Sequence, residues 1–170
     1  ARFPGPEKAE DGEVRLYFRF SARGKVWWEH VSLHECEPIL PRLVKVACSW
    51  GNGDMDWWRK WLDVAGKRKV DIALLPEALN GQGVNGAEPL DGPTGQLLAE
   101  KARRWNMYVS GSFYERRGDL VLNTAPLLDR EGKLVGSYSK NQLYDPEEDE
   151  GATPGVGFPV FETDFGKVGI

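Results

Sequence analysis

Two side chains stand where apolar segments of strand character run out, and both are of types that do acid/base or anion-stabilising work. Glu77 follows the run Val70-Asp71-Ile72-Ala73-Leu74-Leu75-Pro76, and Lys140 follows the alternating segment Leu134-Val135-Gly136-Ser137-Tyr138-Ser139. Catalytic groups of α/β folds gather at the carboxyl ends of strands. A carboxylate partly withdrawn from water there has a raised pKa and takes up protons near neutrality. A lysine at such a place stabilises an oxyanion as it forms on a carbonyl. The pair lacks a nucleophile. Taken singly, each residue also has a plainer reading: Glu77 as a loop residue that caps a helix or pairs with an arginine, Lys140 as an ordinary surface lysine. Asp145, Glu147, Glu148, Asp149 and Glu150 read as a solvated acidic loop, from which one carboxylate can turn inward to meet Lys140.

The remaining chemistry-bearing residues point elsewhere. Cys36 and Cys48 have no Cys or His partner at metal-ligand spacing. His30 and His34 are four apart, but Val31-Ser32-Leu33 between them is strand-like, so no metal site is expected. Asn123 and Thr124 interrupt an apolar strand and need partners if buried, which is the mark of a packing network. With 41% apolar and 28% charged residues in 170, and a net charge of −4, the chain reads as globular. That charge gives no electrostatic reason to expect nucleic acid or an anionic membrane as partner, and no apolar run is long enough to span a bilayer. Six of seven Trp fall between Trp27 and Trp61, where core packing is the simpler use and sugar stacking the other. The chain begins Ala1-Arg2-Phe3-Pro4, so the lack of a targeting segment says nothing about localisation.

The elements that must position Glu77 and Lys140 follow from periodicity. Val14–Phe20 alternates, Ala22-Arg23-Gly24 turns, and Lys25–Leu33 returns, predicting a β-hairpin. Pro38 and Pro41 mark a linker over residues 38–42. Leu43–Cys48 and Val70–Leu75 are expected as strands, the second buried on both faces. Between them a helix is predicted over Met55–Lys69, with Asp54 as its N-cap. A second helix is predicted from Thr94 or Gly95 to Trp105. Strands follow over Met107–Phe113, Asp119–Leu128 and Lys133–Tyr138, with Asp129-Arg130-Glu131-Gly132 as a turn. Asp145–Pro159 is expected as a long functional loop before a last hairpin, Pro159–Thr163 with Lys167–Ile170. Early βα units followed by hairpins fit a layered α/β sandwich.

In combination these motifs are specific. Pro76-Glu77, Leu90-Asp91-Gly92-Pro93, Tyr108-Val109-Ser110-Gly111-Ser112, Leu122-Asn123-Thr124-Ala125, Gly136-Ser137-Tyr138-Ser139-Lys140, Thr153-Pro154-Gly155 and Phe165-Gly166-Lys167-Val168-Gly169-Ile170 occur in an order that resembles the N-terminal half of the nitrilase or carbon–nitrogen hydrolase superfamily, over about residues 43–170. The resemblance implies a partial α-β-β-α sandwich and a Glu-Lys-Cys triad without metal or organic cofactor. Glu77 matches the family's base and Lys140 its lysine. Glu148 matches the assisting glutamate by spacing, with Glu147 and Glu150 as alternatives. The family's nucleophilic Cys comes just after the strand that here ends at Ile170, and neither Cys36 nor Cys48 matches it. The 170 residues alone are therefore expected to be inactive, with unpaired strand edges.

The implied activity of the parent is hydrolysis of a non-peptide C–N bond in a small-molecule amide, carbamoyl or nitrile, by a homo-oligomer. The alternatives are an inactive binding or scaffold protein of the same fold and an N-acyltransferase using the same thioester chemistry. Residues 13–35 resemble the last strands of a jelly-roll carbohydrate-binding module, with a hairpin packed on the hydrolase as the other reading. The implied organisation is a hairpin unit over 1–37, a linker over 38–42 and a truncated hydrolase domain over 43–170.

Overall fold

The computed structural model describes residues 43–81 and 83–170. The expected hairpin of Val14–Leu33 with its jelly-roll likeness, the linker 38–42, His30, His34 and Cys36 lie outside the described residues. In chain order the elements are β1 (Val46–Cys48), α1 (Met55–Lys67), β2 (Ile72–Leu74), a 3-10 turn (Gly83–Gly86), α2 (Pro93–Trp105), β3 (Tyr108–Ser110), β4 (Phe113–Arg117), β5 (Leu120–Leu128), β6 (Leu134–Ser139), α3 (Asp145–Asp149), β7 (Val160–Thr163) and β8 (Gly166–Gly169).

Six strands make the main sheet. β1, β2 and β3 run parallel, and the long β5 pairs antiparallel with β3, β4 and β6. Because successive residues of a strand face opposite sides, the register sorts the short strands into two faces. Ala47, Ala73, Val109 and Leu128 face a core shared with Trp58, Leu62 and Ala65 of α1 and with Leu97, Leu98 and Ala102 of α2. Ile72, Tyr108 and Leu127 face the other way, onto Phe161, Phe165 and Val168 of the two-stranded sheet β7–β8. The described layers are thus helices, a six-stranded sheet and a second, smaller sheet. That is the layering the resemblance implies.

The helices form where their sequences ask for them. Asp54 accepts a 2.8 Å hydrogen bond from Trp57 N–H and caps α1. The buried stripe Trp58, Leu62, Ala65 and Gly66 has helical spacing, while Trp57 is turned outward. α2 starts with Pro93 at its first turn and ends at Asn106, whose left-handed φ of 51° closes the helix. Glu88 sets its carboxylate against the first turn of α2, accepting from Thr94 N–H at 3.1 Å.

Two expectations change. The predicted strand Met107–Phe113 is broken after Ser110, and β4 begins at Phe113. At Gly111 the chain passes so close to Leu75 and Leu79 that a Cβ would stand 2.6 Å from that of Leu75. The predicted loop Asp145–Pro159 contains the five-residue helix α3. A clamp unforeseen in the sequence comes from the turn between β5 and β6. There Arg130 donates to Asp71 at 2.9 Å, to Asp164 at 2.6 Å and to the carbonyl of Asn106 at 2.7 Å, and lies over the Tyr108 ring. Asp164 lies in the turn joining β7 to β8, so one guanidinium fastens the small sheet to the large one.

The two sheets also meet where the Phe161 ring lies against Gly136 of β6, leaving no room for a Cβ. A Gly136→Ala substitution is expected to displace Phe161 and to destabilise the fold by about 1–3 kcal/mol, read as a lower urea midpoint with an unchanged m-value. A midpoint equal to or above wild type would show that the sheets do not pack at this point.

Candidate active site

Glu77 is placed by the continuation of β2 beyond its last ladder pair. Leu75 N–H donates to the carbonyl of Ser110 at 2.8 Å, Ser112 N–H to that of Pro76 at 3.2 Å, and Leu79 N–H to that of Ser112 at 2.9 Å. The next residue, Ala78, has a φ of 56°, a left-handed conformation that costs a residue with a Cβ roughly 1 kcal/mol. The backbone therefore turns sharply just after Glu77. Lys140 is placed by equally short bonds. Its N–H donates to the Asn123 carbonyl at 2.9 Å, and its own carbonyl accepts from Gly155 N–H at 2.9 Å. Only glycine fits at 155, because a Cβ there would run into the Ser139 carbonyl.

From these supports the two side chains converge. Lys140 Nζ lies 3.5 Å from Glu77 Oε2 and 2.6 Å from Glu147 Oε2. Glu147 is the buried member, with a side chain 9% exposed against 68% for Glu77. Four donors meet its carboxylate. Lys140 Nζ and Tyr144 N–H (3.0 Å) reach Oε2, while Asn123 Nδ2 (2.7 Å) and Tyr114 O–H (3.1 Å) reach Oε1. Burial alone would raise the pKa of this group. The hydrogen bonds from Lys140, Tyr144 and Asn123, with the Lys140 charge, outweigh it and bring the carboxyl from 4.5 down to about 2. Burial likewise works against the charge on Lys140, yet the hydrogen bond to Glu147 and the charges of Glu77 and Glu147 raise its pKa. Tyr114 is pushed up to about 12 by burial and by the adjacent Glu147 carboxylate, so its hydroxyl remains a donor.

Glu77 stands between two clefts. One, of about 1240 Å³, is lined by Lys140, Asn123, Ser110 and Ile170 as well as Glu77. The other is lined by Glu77, Glu147, Tyr114, Asp56 and Glu150. Cys48, exposed on the edge strand β1, does not line the first cleft. Among the described residues no group of three His, Cys, Asp or Glu side chains is arranged to hold a metal, and no helix is long and apolar enough to cross a membrane.

Of the three residues singled out in the sequence, the structure brings two together. Glu77 and Lys140 meet beside the end of β8. Glu148, expected as the second glutamate, is exposed, and Glu147 occupies that place. Consecutive helical residues point about 100° apart, so only one of the two can face the sheet. The bond from Tyr144 N–H to Glu147 sets which. The expected partial burial of Glu77 is also not met among the described residues: its side chain is largely exposed and lines both clefts. Asn123 has the buried network role its setting suggested. Tyr114, in the buried half of β4, was not singled out in the sequence, and no local signal marks it.

A carboxylate whose pKa is lowered by folding contributes stability above its unfolded pKa and loses that contribution as pH falls through the folded value. Between pH 4.5 and about 2 the unfolded chain binds the Glu147 proton and the folded chain does not, so stability rises with pH across that window. Urea unfolding of wild type between these pH values is expected to show a steeper slope than Glu147→Gln, by up to ~1.4 kcal/mol per pH unit. Equal slopes would contradict the assignment of a fully engaged, ionised Glu147.

Comparisons with known proteins bear on the family and the fold. A family described as carbon-nitrogen hydrolase matches residues 48–170. The chain is 31% identical over 134 residues to a beta-ureidopropionase of Arabidopsis thaliana, a match covering 69% of this chain and 33% of that protein. It is 31% identical over 113 residues to the omega-amidase NIT2 of Danio rerio, covering 58% of this chain and 41% of that protein. It thus spans well under half the length of these curated relatives. Its fold is similar to that of an amidase from Nesterenkonia sp., with a TM-score of 0.62 at 21% identity over 74% of this chain and 54% of the other. The match over residues 48–170, with the layered fold that carries it, shows that this chain belongs to the carbon-nitrogen hydrolase family.

Proposed function

We propose that the full-length protein hydrolyses a non-peptide C–N bond, in an amide or carbamoyl group, through a Glu-Lys-Cys triad. The observation that carries this reading is the convergence of Glu77 and Lys140 on one cleft that also reaches Ile170. The relatives named as an amidase and a ureidopropionase support the bond type.

The three charged groups divide the work by their engagement. Glu147 is bonded on both oxygens and held far below neutral pH, so it is not the base. Lys140 is held as an ammonium, which suits an oxyanion and not a proton acceptor. Glu77 remains, with Lys140 as its ion-pair partner among the described residues and with access to the cleft. The nucleophile is assigned to a Cys that follows Ile170 in the parent chain.

Glu77 takes the thiol proton, and the thiolate attacks the carbonyl carbon as the π electrons move to oxygen, beside Lys140 Nζ. The tetrahedral adduct then collapses. The C–N bond breaks, Glu77 returns its proton to the departing nitrogen, and a thioester remains. Water, deprotonated by Glu77, attacks the thioester. The C–S bond breaks, the acid product leaves, and the thiol regains the proton. Glu147 keeps Lys140 charged and in place throughout.

Ammonia release from butyramide, N-carbamoyl-β-alanine and butyronitrile by the full-length protein tests this. Hydrolysis of an amide or carbamoyl compound is expected, with Lys140→Met and Glu77→Gln each lowering kcat by on the order of a thousandfold. Either variant retaining wild-type kcat would overturn the assignment, as would hydrolysis of the nitrile alone.

A further inference from the structure

The geometry points to Tyr114 as a positioning residue for this reaction: its hydroxyl holds Glu147 in the orientation that aims Lys140 at the cleft. The inference rests on the roles given above to Lys140 and Glu147, and it concerns a residue that touches neither substrate nor reacting atoms.

Glu147 lies on α3, a helix of five residues in which its neighbours are exposed. The Tyr144 N–H at the helix N-cap selects Glu147 to face the sheet, but groups outside so short a helix must hold the carboxylate there. Two side chains from the main sheet do so. Asn123 of β5 and Tyr114 of β4 both donate to Oε1, at 2.7 and 3.1 Å, leaving Oε2 to Lys140 and to the Tyr144 N–H. A carboxylate offers about four lone-pair sites, and here all are taken, which removes the freedom to rotate or to slide along the lysine. Tyr114 has a second hold on the same segment. Its ring packs with Ala152, just past α3, and with Val84 and Val121, while Thr153 N–H donates to the Val121 carbonyl at 2.6 Å. Its own backbone is tied down as well, since the Tyr114 carbonyl accepts from Glu88 N–H at 3.1 Å and from Asn80 Nδ2 at 3.3 Å. The hydroxyl therefore projects from a fixed base. Nothing else in its surroundings uses it: the one recorded bond of the Tyr114 hydroxyl is to Glu147, among the described residues.

Tyr114→Phe in the full-length protein removes this oxygen and keeps the ring. Loss of a donor to a charged acceptor is expected to lower kcat about tenfold, with KM within about twofold because the substrate is not touched. The unfolding midpoint is expected to fall as well, because a buried carboxylate loses one of its four donors, so kcat is read well below the unfolding transition. The same substitution made in a Glu147→Ala background is expected to change kcat by less than about twofold, because no acceptor is left at 147 for the hydroxyl to act on. Additive losses in the two backgrounds would overturn the inference, and so would a wild-type kcat in Tyr114→Phe. A Tyr114→Phe chain that fails to fold would also overturn it, by assigning the hydroxyl to the fold. Lys140→Met separates the two levels. If that variant is active the underlying triad assignment fails, whereas if it is inactive and Tyr114→Phe is normal only the role of Tyr114 fails.

Discussion

The contact between Lys140 and Glu147 is the interaction on which the rest of the site depends. An ammonium and a carboxylate taken largely out of water lose hydration that their mutual attraction restores only when the remaining hydrogen-bonding capacity is also filled. Here it is filled. Asn123, Tyr114 and the Tyr144 N–H complete the carboxylate, and the second carboxylate, Glu77, approaches the same ammonium from the open side. The result is a cation between two anions of different character. One anion is bonded at every position and fixed, and the other is exposed and lines the cleft. Two glutamates beside one lysine thus stand in different surroundings, one buried and one exposed.

That arrangement needs five separate stretches of chain to arrive at one place, and the fold brings four of them together through the long strand β5. Its residues pair with β4, which carries Tyr114, with β6, which leads to Lys140, and with β3, whose continuation through Ser110–Ser112 holds the segment bearing Glu77. Asn123 sits on β5 itself. Any slip in its register would move three of the participating side chains at once. The small sheet β7–β8 is fastened against the other face by the Arg130 clamp and by Phe161 over Gly136, and this brings the end of β8 beside the same cleft.

Much of this was legible in the sequence because it is written in local terms. Asp54 ahead of the spacing Trp58, Leu62, Ala65 specifies a capped helix, and the apolar run to Leu75 and the alternation from Leu134 specify the strands whose ends carry Glu77 and Lys140. What was not legible depends on contacts between distant segments. Choosing Glu147 over Glu148 requires the rotation of a five-residue helix, which is set by donors up to 33 residues away. The break at Gly111 reflects the close passage of Leu75 and Leu79, and not the propensity of Ser110-Gly111-Ser112. Arg130 read as an ordinary turn residue, since its partners Asp71 and Asp164 lie 59 and 34 residues distant. Tyr114 fell just past the predicted strand Met107–Phe113, and nothing local reveals that its hydroxyl finds a buried acid.

Covalent trapping on the full-length protein reaches the account's centre most directly. Acid quenching during turnover of an amide, followed by intact-mass and peptide analysis, should find the acyl group as a thioester on a Cys shortly beyond Ile170, and should find none in the Lys140→Met protein. An acyl group carried on any other residue, or an adduct that forms equally well without Lys140, would contradict it.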